Sequence, residues 1–570
     1  MHDDASRPRT RRTVALLAVA VLAVTVTPPA PAGATAAPGG PVWGTCPPSA
    51  DGSTRDARQR CATLRVPLDH RKPYGRQIDL TISRIPATGA GLRRGILLAN
   101  PGGPGNSGLD MPSFLAAALP AEVRARYDLI GFDPRGVGAS TPITCGITDP
   151  AAVADLILPY PAPDGSIAGN IEFARTTART CTARSGDLLP HITTADTARD
   201  MDRIRAALGE SKLSYLGYSY GTYLGAVYAT MFPDRGDRIV LDSAVDPNRI
   251  WHGHMRQFST SMAVRFPDFT GWAAARDDEY GLGATPAAVA ETYLATAAAL
   301  DRDPLVTPDL VVTGAFYRQT TRVLLGDDRD FPLLAAIWQA FAGARTPPAA
   351  VSAPRHADDG KGPFLTPGVR KGPFPSRAAS GAQVPVDNSI AVLYAIVCGD
   401  TAWPRDVDRY ARDVAVDRRL FPITAGMPAN VWPCAFWPSR PLEPPVAVTG
   451  KGPRNVLILQ NLRDPATGWL GALGMRRALD RRAALVTQDA GGHGVYGIRS
   501  GPCAADIATT FLTTGTLPGR DVFCPGPSPD EVGNPSPVPS TRIAFAGDAA
   551  VTTSWRAALP VRRPASPPER

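Results

Sequence analysis

The amino-acid sequence predicts an α/β fold, with a mostly parallel central sheet, helices on both faces and a large helical cap insertion. Short apolar runs alternate with helical stretches between about residues 76 and 246, which is the pattern of a parallel sheet covered by helices. The alternation stops over residues 247–448, where the chain is rich in Ala, Asp and Pro, and then resumes. An insertion between two parts of one sheet accounts for this interruption.

Five apolar runs predict the strands of the first part of the core: RQIDLTISRIPA, RRGILLAN, RYDLIGF, KLSYLGY and DRIVLDSA. Before the fourth run, TTADTARDMDRIRAALG predicts an amphipathic helix, with apolar residues from Ala198 to Leu208 on one face and Thr194 or Asp196 as its cap. Within the insertion, TPAAVAETYLATAAAL predicts a further helix. Two more strands, RNVLILQNL and AALVTQDA, follow it and complete the predicted sheet.

The N-terminal residues have the layout of a secretory signal peptide. Arginines in the first 12 residues precede the apolar run TVALLAVAVLAVTVT, and ATA at 34–36 supplies a small-residue cleavage site. The alternative, a membrane anchor, is disfavoured because the run is shorter than the roughly 20 residues that a membrane span needs. The sequence therefore predicts an exported protein, secreted or associated with the cell envelope, and the abundance of Ala, Arg, Pro and Gly indicates a bacterial source. Arg11 and Arg12 leave the general and the twin-arginine export routes open.

These patterns divide the chain into five predicted regions. The tail is rich in Pro and Ser, which predicts loose order. In chain order the regions are a signal peptide (1–36), the first core part (37–246), the cap (247–448), the second core part (449–525) and the tail (526–570).

The eight cysteines form an even set, which in an exported chain predicts four disulfides. None lies in a CxxC motif, so neither a zinc site nor a redox site is predicted. Connectivity does not follow from sequence, and pairing between neighbours in the chain is the simplest hypothesis. It gives Cys46 with Cys61, Cys145 with Cys181, Cys398 with Cys434, and Cys503 with Cys524.

The charge of the chain gives no indication of a polyanionic partner. The formal net charge is +8, and no basic cluster dominates the chain once the N-terminal arginines are set aside. Nucleic-acid binding is therefore not predicted. No cofactor, metal or stable membrane partner is predicted either, and the oligomeric state is left open.

Four polar or glycine-rich positions each follow a predicted strand. They are Gly102 with Gly103, Ser219 in GYSYG, Asp464 and His493. The carboxyl ends of parallel strands lie at one edge of a sheet, so these positions are able to converge. A serine hydroxyl needs an imidazole to take its proton, and the imidazole needs a carboxylate to orient it. The order Ser, acid, His is that of α/β-hydrolases, and it predicts a triad of Ser219, Asp464 and His493.

Glycines surround the predicted nucleophile. Gly217 and Gly221 would permit the strained strand-to-helix turn that exposes Ser219. The tetrahedral intermediate also needs N–H donors for its oxyanion. The predicted donors are the backbone of Tyr220, at the start of the helix, and that of Gly102 or Gly103.

Other residues compete for these roles. Asp242 and Asp246 follow the strand after the nucleophile helix, where some hydrolases place the acid, but Asp464 stands one strand before His493 and is preferred. His252 and His254 form an HGH sequence that suggests a metal. No carboxylate or cysteine lies at ligand spacing from them, and His493 in GGHG is preferred as the base.

The motifs NPGGPGNSG, DPRGVGAS, GYSYGT, AIVCGD, NLRDPATG and GGHG resemble those of secreted tripeptidyl aminopeptidases, in the proline-iminopeptidase branch of the α/β-hydrolases. The resemblance extends from about residue 43 to 525. It implies a serine exopeptidase that releases short peptides from free N-termini, with the triad and oxyanion residues named above. Asn106 departs from the usual GGSG loop. Asn100-Pro101 replaces the His that begins the loop of proline iminopeptidases, which favours the tripeptidyl group.

The expected substrate is therefore a peptide with a free N-terminus. Its amine requires acidic residues in the cap, and four candidates are Asp277, Asp278, Glu279 and Asp400, although solvated or structural roles are the simpler interpretation of each. The alternatives are a secreted carboxylesterase that uses the same triad and a non-catalytic binding protein on a hydrolase scaffold.

Overall fold

The computed structural model describes residues 40–49, 52, 54–306, 311–343 and 384–526. The predicted signal peptide (1–36) and the predicted tail beyond residue 526 lie outside the described residues. Everything below concerns the described part of the chain.

A nine-stranded sheet forms the centre of the described structure, in the order β1-β2-β4-β3-β5-β6-β9-β10-β11. Strand β2 pairs antiparallel with β1 and β4, and every other pairing in the sheet is parallel. The mostly parallel sheet confirms the predicted fold class. The strands are β1 (Arg60–Pro67), β2 (Gln77–Ile85), β3 (Gly95–Asn100), β4 (Tyr127–Phe132), β5 (Leu213–Tyr218), β6 (Gly236–Asp242), β7 (Leu305–Val306), β8 (Val311–Val312), β9 (Val456–Arg463), β10 (Ala483–Gly491) and β11 (Val522–Cys524).

Strands β7 and β8 form a separate two-stranded sheet. The helices are α1 (Met111–Ala118), α2 (Ala121–Arg124), α3 (Ala154–Ile157), α4 (Ala168–Ser185), α5 (Thr194–Ala207), α6 (Tyr220–Met231), α7 (His252–Ala274), α8 (Asp277–Tyr280), α9 (Pro286–Arg302), α10 (Gly314–Leu324), α11 (Phe331–Gly343), α12 (Asn388–Gly399), α13 (Val407–Leu420), α14 (Trp469–Leu479) and α15 (Pro502–Thr514). Short 3-10 helices span Leu189–His191, Asp328–Asp330, Met427–Ala429, Pro433–Phe436 and Asp480–Arg482.

The central strands are buried on both faces. In β3, Ile96 and Leu98 belong to one hydrophobic cluster, whereas Leu97 and Ala99 belong to a second. Successive side chains of a strand point to opposite faces, so each cluster lies on one face of the sheet. This double burial explains why the sequence of β3 is a continuous apolar run rather than an alternating one.

The predicted insertion is the crossover between β6 and β9, which pair in parallel as neighbours. Helices α7 to α13 lie in this part of the chain. Helices α7, α9, α10 and α11 share a hydrophobic cluster of their own, which includes Phe269 and Trp338. Helix α12, in contrast, is buried within the main cluster of the sheet. The predicted boundaries at residues 247 and 448 stay a prediction.

Four disulfides stabilise the described structure: Cys46–Cys61, Cys145–Cys181, Cys398–Cys434 and Cys503–Cys524. These are the pairs expected between neighbouring cysteines. A set of this kind fits an exported protein. Among the helices of the described residues, none is both long enough and apolar enough to span a membrane.

Candidate active site

Ser219 occupies a sharp turn between β5 and α6. Its backbone has φ 55° and ψ −121°, a conformation that non-glycine residues rarely adopt. The glycines around it are required sterically. A Cβ at Gly217 would lie 2.5 Å from the carbonyl oxygen of Gly221, and a Cβ at Gly221 would lie 2.9 Å from Asn100 Oδ1. The turn therefore holds Ser219 at the N-terminus of a helix, where the helix dipole favours a developing negative charge.

The glycine loop after β3 lies against Ser219. Gly102 has φ +94°, and a Cβ there would lie 2.6 Å from the carbonyl oxygen of Tyr218 and 3.0 Å from Ser219 Cβ. The N–H of Gly102 donates to Asn100 Oδ1 at 2.9 Å. Gly102 therefore allows the glycine loop to approach Ser219 closely, and its N–H is already bonded to Asn100 within the loop. The amides of Gly103 and Tyr220 are the better candidates for oxyanion donors.

Asp464 follows β9 directly and its side chain is fully buried. Its Oδ1 accepts hydrogen bonds from the backbone of Ala466 at 2.8 Å and of Thr467 at 2.9 Å. Its Oδ2 accepts from Thr467 Oγ1 at 2.9 Å. These bonds satisfy the carboxylate and fix its orientation. Sequence reasoning did not single out Thr467, whose position three residues after an Asp before Pro is a recognisable turn signal.

His493 contacts this carboxylate. Its Nδ1 lies 3.0 Å from Asp464 Oδ1 and 2.9 Å from Oδ2. Burial alone would lower the pKa of His493, but the charge and hydrogen bond of Asp464 outweigh it and raise the pKa above its ordinary value of 6.5. Burial would raise the pKa of Asp464, and the nearby imidazole and its hydrogen bond lower it instead. The pair therefore favours an ionised Asp464 beside His493.

The backbone around His493 is held by successive hydrogen bonds. The N–H of Gly492 donates to the carbonyl of Arg463 at 3.3 Å, and that of His493 donates to the carbonyl of Gly326 at 2.9 Å. The N–H of Gly494 donates to Ser243 Oγ at 2.8 Å. Residues 492–496, here termed the histidine loop, are therefore fixed independently of the imidazole.

Asp242, a competitor for the acid role, supports this loop rather than the imidazole. Its two carboxylate oxygens accept from the backbone N–H groups of Val495 at 2.9 Å and Tyr496 at 2.7 Å. Burial is the main reason that its pKa rises to about 7. Asp246, the second competitor, accepts from the backbone of Asn248 at 2.9 Å. Of the three acids, Asp464 is the one that the described structure places on His493.

The two histidines of HGH lie in aromatic surroundings, where His254 is buried and His252 is half-buried. His252 packs against Trp403 and Tyr410, and His254 packs between Trp251 and Phe258. Burial lowers the pKa of each to about 4, so both are neutral at neutral pH. Within the described residues, no group of three or more His, Cys, Asp or Glu side chains is placed to hold a metal ion.

The four acidic residues considered for amine binding lie in two different settings. Asp277, Asp278 and Glu279 form the short helix α8, which has no buried residue. Asp400 is buried and accepts hydrogen bonds from Thr194 Oγ1 at 2.6 Å and Trp251 Nε1 at 3.0 Å. Asp400 therefore connects α12 to the residues that pack on Tyr220, and its bonds account for its burial.

The fold and the site define the class of protein. A mostly parallel sheet, a strained serine at a strand-to-helix turn and a buried acid–histidine pair after later strands are the arrangement of an α/β-hydrolase. A family model described as alpha/beta hydrolase fold matches residues 95–351. A second model, described as TAP-like protein, matches residues 423–524.

Curated relatives identify the family within that class. The chain is 38% identical over 476 residues to a tripeptidyl aminopeptidase of Streptomyces lividans, covering 82% of this chain and 83% of the relative. It is 33% identical to the serine protease Hip1 of Mycobacterium tuberculosis, covering 81% and 87%. It is 31% identical to a carboxylesterase B of the same species, covering 86% and 92%. The chain belongs to the tripeptidyl aminopeptidase family of α/β-hydrolases and is a serine hydrolase of the peptidase type.

Proposed function

We propose that this protein is a secreted serine exopeptidase that releases short peptides from free N-termini through Ser219, His493 and Asp464. The observation that carries the proposal is the contact between His493 Nδ1 and Asp464. These two residues follow the neighbouring strands β10 and β9. The similarity to a tripeptidyl aminopeptidase over most of both chains supports the peptide substrate. The four disulfides support secretion.

The reaction proceeds in two halves. In acylation, His493 Nε2 takes the proton of Ser219 Oγ as Oγ attacks the scissile carbonyl carbon, and the oxyanion accepts hydrogen bonds from the amides of Gly103 and Tyr220. His493 then gives the proton to the leaving nitrogen, and the C–N bond breaks. In deacylation, His493 deprotonates a water molecule that attacks the acyl-enzyme, and the released serine regains its proton. Asp464 stabilises the charged imidazole in both halves.

Aromatic side chains pack behind the nucleophile turn. Trp251 packs on Tyr220 at 5.7 Å and on His254 at 6.0 Å, and His254 packs on Phe258 at 5.5 Å between ring centroids. Trp251, His254 and Phe258 are buried, so this packing supports the turn around Ser219.

The activity should depend on pH through His493. The imidazole must be neutral to act as base, and Asp464 raises its pKa above 6.5. We therefore expect kcat/KM to fall as the pH is lowered, with the midpoint of this acid limb above pH 6.5. The measurement is a pH profile of kcat/KM on a peptide substrate. A midpoint well below 6.5 would contradict the influence of Asp464 on the base.

A carboxylesterase is the second candidate function, because one relative is named carboxylesterase B. A substrate panel distinguishes it from a peptidase. The panel contains a free-amine tripeptide anilide, its N-blocked counterpart, a single-residue proline anilide and a p-nitrophenyl ester. We expect the highest kcat/KM on the free tripeptide. Preference for the blocked peptide or for the ester would refute the aminopeptidase proposal.

A further inference from the structure

A cap segment contacts the backbone of the histidine loop. The N–H of His493 donates to the carbonyl oxygen of Gly326, which follows α10, at 2.9 Å. The neighbouring Gly492 has φ +95°, and a Cβ there would lie 2.8 Å from the same oxygen. The two backbones are therefore in contact, and a carbonyl of the cap accepts a hydrogen bond from the residue that carries the imidazole.

Arg265 of α7 lies at this junction, with a side chain that is 1% exposed. Its Nε donates to the carbonyl of Leu325 at 2.9 Å, and Nη2 forms an ion pair with Asp328. On the other side, a Cβ at Gly491 would lie only 1.6 Å from Arg265 Nη1. One guanidinium therefore holds both ends of the cap segment 325–328 and packs against the last residue before the histidine loop.

Ion pairs continue from Arg265 into the core. Asp268 accepts from Arg265 Nη1 at 2.5 Å and from Arg463 Nε at 2.9 Å. Arg463 is the residue before Asp464, and its Nη1 donates to Asp489 at 2.6 Å. The cluster therefore reaches the residue that precedes the acid of the triad.

A second connection lies on the far side of the histidine loop. Arg499, a few residues after this loop, has Nη2 2.6 Å from Asp328 and Nη1 3.2 Å from Asp327. The cap segment is thus bound both by Arg265 of α7 and by Arg499, which follows the histidine loop. Because these ion pairs are partly buried, solvent and salt screen them less than exposed pairs. Their hydrogen-bond geometry limits how far the segment moves.

We propose that Arg265 is a positioning residue for the base: by fixing the segment 325–328, it places the Gly326 carbonyl that orients the backbone of His493. This inference rests on the triad of the proposed function. The imidazole must meet Asp464 and Ser219 together, and a displacement of about 1 Å in an active site costs roughly 10²-fold in rate. The cap is therefore part of the catalytic apparatus as well as a cover over it.

The test compares three variants with a matched control. Arg265→Met and Asp328→Asn break the junction, and Arg265→Lys keeps a charge without the guanidinium fork. The control is Arg318→Met, which breaks the bidentate pair of Arg318 with Asp301 elsewhere in the cap, at 2.9 and 2.6 Å. The measurements are kcat and KM on the tripeptide and on the ester, the melting temperature, and the downfield proton resonance of His493 Nδ1–H without substrate.

We expect Arg265→Met to lower kcat by roughly 10²-fold with KM within about twofold, and to broaden or shift the resonance. Asp328→Asn should show the same changes to a smaller degree, Arg265→Lys should recover part of the loss, and Arg318→Met should keep the wild-type kcat and resonance. If Arg265→Met fails to fold, Asp328→Asn decides, because the Asp328 side chain is 29% exposed.

The inference is overturned if Arg265→Met and Asp328→Asn keep the resonance and lose no more kcat than Arg318→Met. The resonance needs no substrate, so it tests the positioning role apart from the reaction. A wild-type protein that hydrolyses neither peptide nor ester would instead refute the proposed function, while the comparison of resonances would still decide the inference.

Discussion

Replacing Ser219 with alanine is expected to lower kcat by about 10⁴- to 10⁶-fold, with the fold unchanged. The substitution removes only the hydroxyl group, and without its oxygen no acyl-enzyme forms. Alanine is small enough for the turn, although the positive φ of 55° at this position remains unfavourable for it as for serine. The measurement is single-turnover hydrolysis of a tripeptide substrate, together with labelling by a fluorophosphonate probe.

Ser214→Ala is the matched control for this variant. Ser214 lies on β5, the strand that leads to Ser219, and is as buried as Ser219; its Oγ donates to Asp237 at 3.1 Å. The control should keep turnover and labelling, whereas Ser219→Ala should lose both. If Ser219→Ala retained turnover within tenfold of the wild type, the nucleophile would have to be another residue.

Replacing Asp464 with asparagine should produce the second large loss, about 10⁴-fold in kcat. The amide has nearly the shape of the carboxylate, so its oxygen is still able to accept hydrogen bonds from the backbone N–H groups of Ala466 and Thr467. The amide does not stabilise a charged imidazole, and its NH₂ group favours the wrong tautomer of His493. Loss of the negative charge also lowers the pKa of His493, so the acid limb of kcat/KM should move to lower pH.

Asp242→Asn tests the same assignment from the other side. Asp242 accepts from the backbone of Val495 and Tyr496, so its variant should loosen the histidine loop and lower kcat by far less than Asp464→Asn. The acid limb should also stay nearer to its wild-type position. If the two variants exchanged these behaviours, the acid of the triad would be Asp242.

Much of the scaffold follows from local sequence pattern. The apolar run GILLAN is buried on both faces, so its continuous hydrophobicity predicts a central parallel strand before any contact is known. The glycines of GYSYG similarly predict a strained turn. The structure leaves no room for a Cβ at Gly217, beside the Gly221 carbonyl, or at Gly221, beside Asn100. In both cases the determining interactions lie within one element or between adjacent elements.

The choice among acids and the role of the cap depend on distant contacts. Asp242 and Asp464 both follow strands, and only the tertiary structure shows that backbone amides occupy the oxygens of Asp242. The short helix α8 within the acidic sequence RDDEY has no buried residue, whereas Asp400 is buried, and no local signal in the sequence separates the two cases. The bond from His493 to Gly326 joins residues far apart in the chain, and no periodicity or motif marks a carbonyl acceptor.

The position of the insertion constrains how such an enzyme changes over evolution. A crossover between neighbouring parallel strands needs only about a dozen residues, yet here residues 243–455 connect β6 to β9. Sheet pairing thus leaves most of the cap free to vary, and new substrate preferences are able to arise there without cost to the core. The buried helix α12 and the segment that holds His493 are exceptions. A cap exchanged between relatives would have to bring its own equivalent of Arg265 and the Gly326 carbonyl, or the chimera would bind new peptides and cleave them slowly.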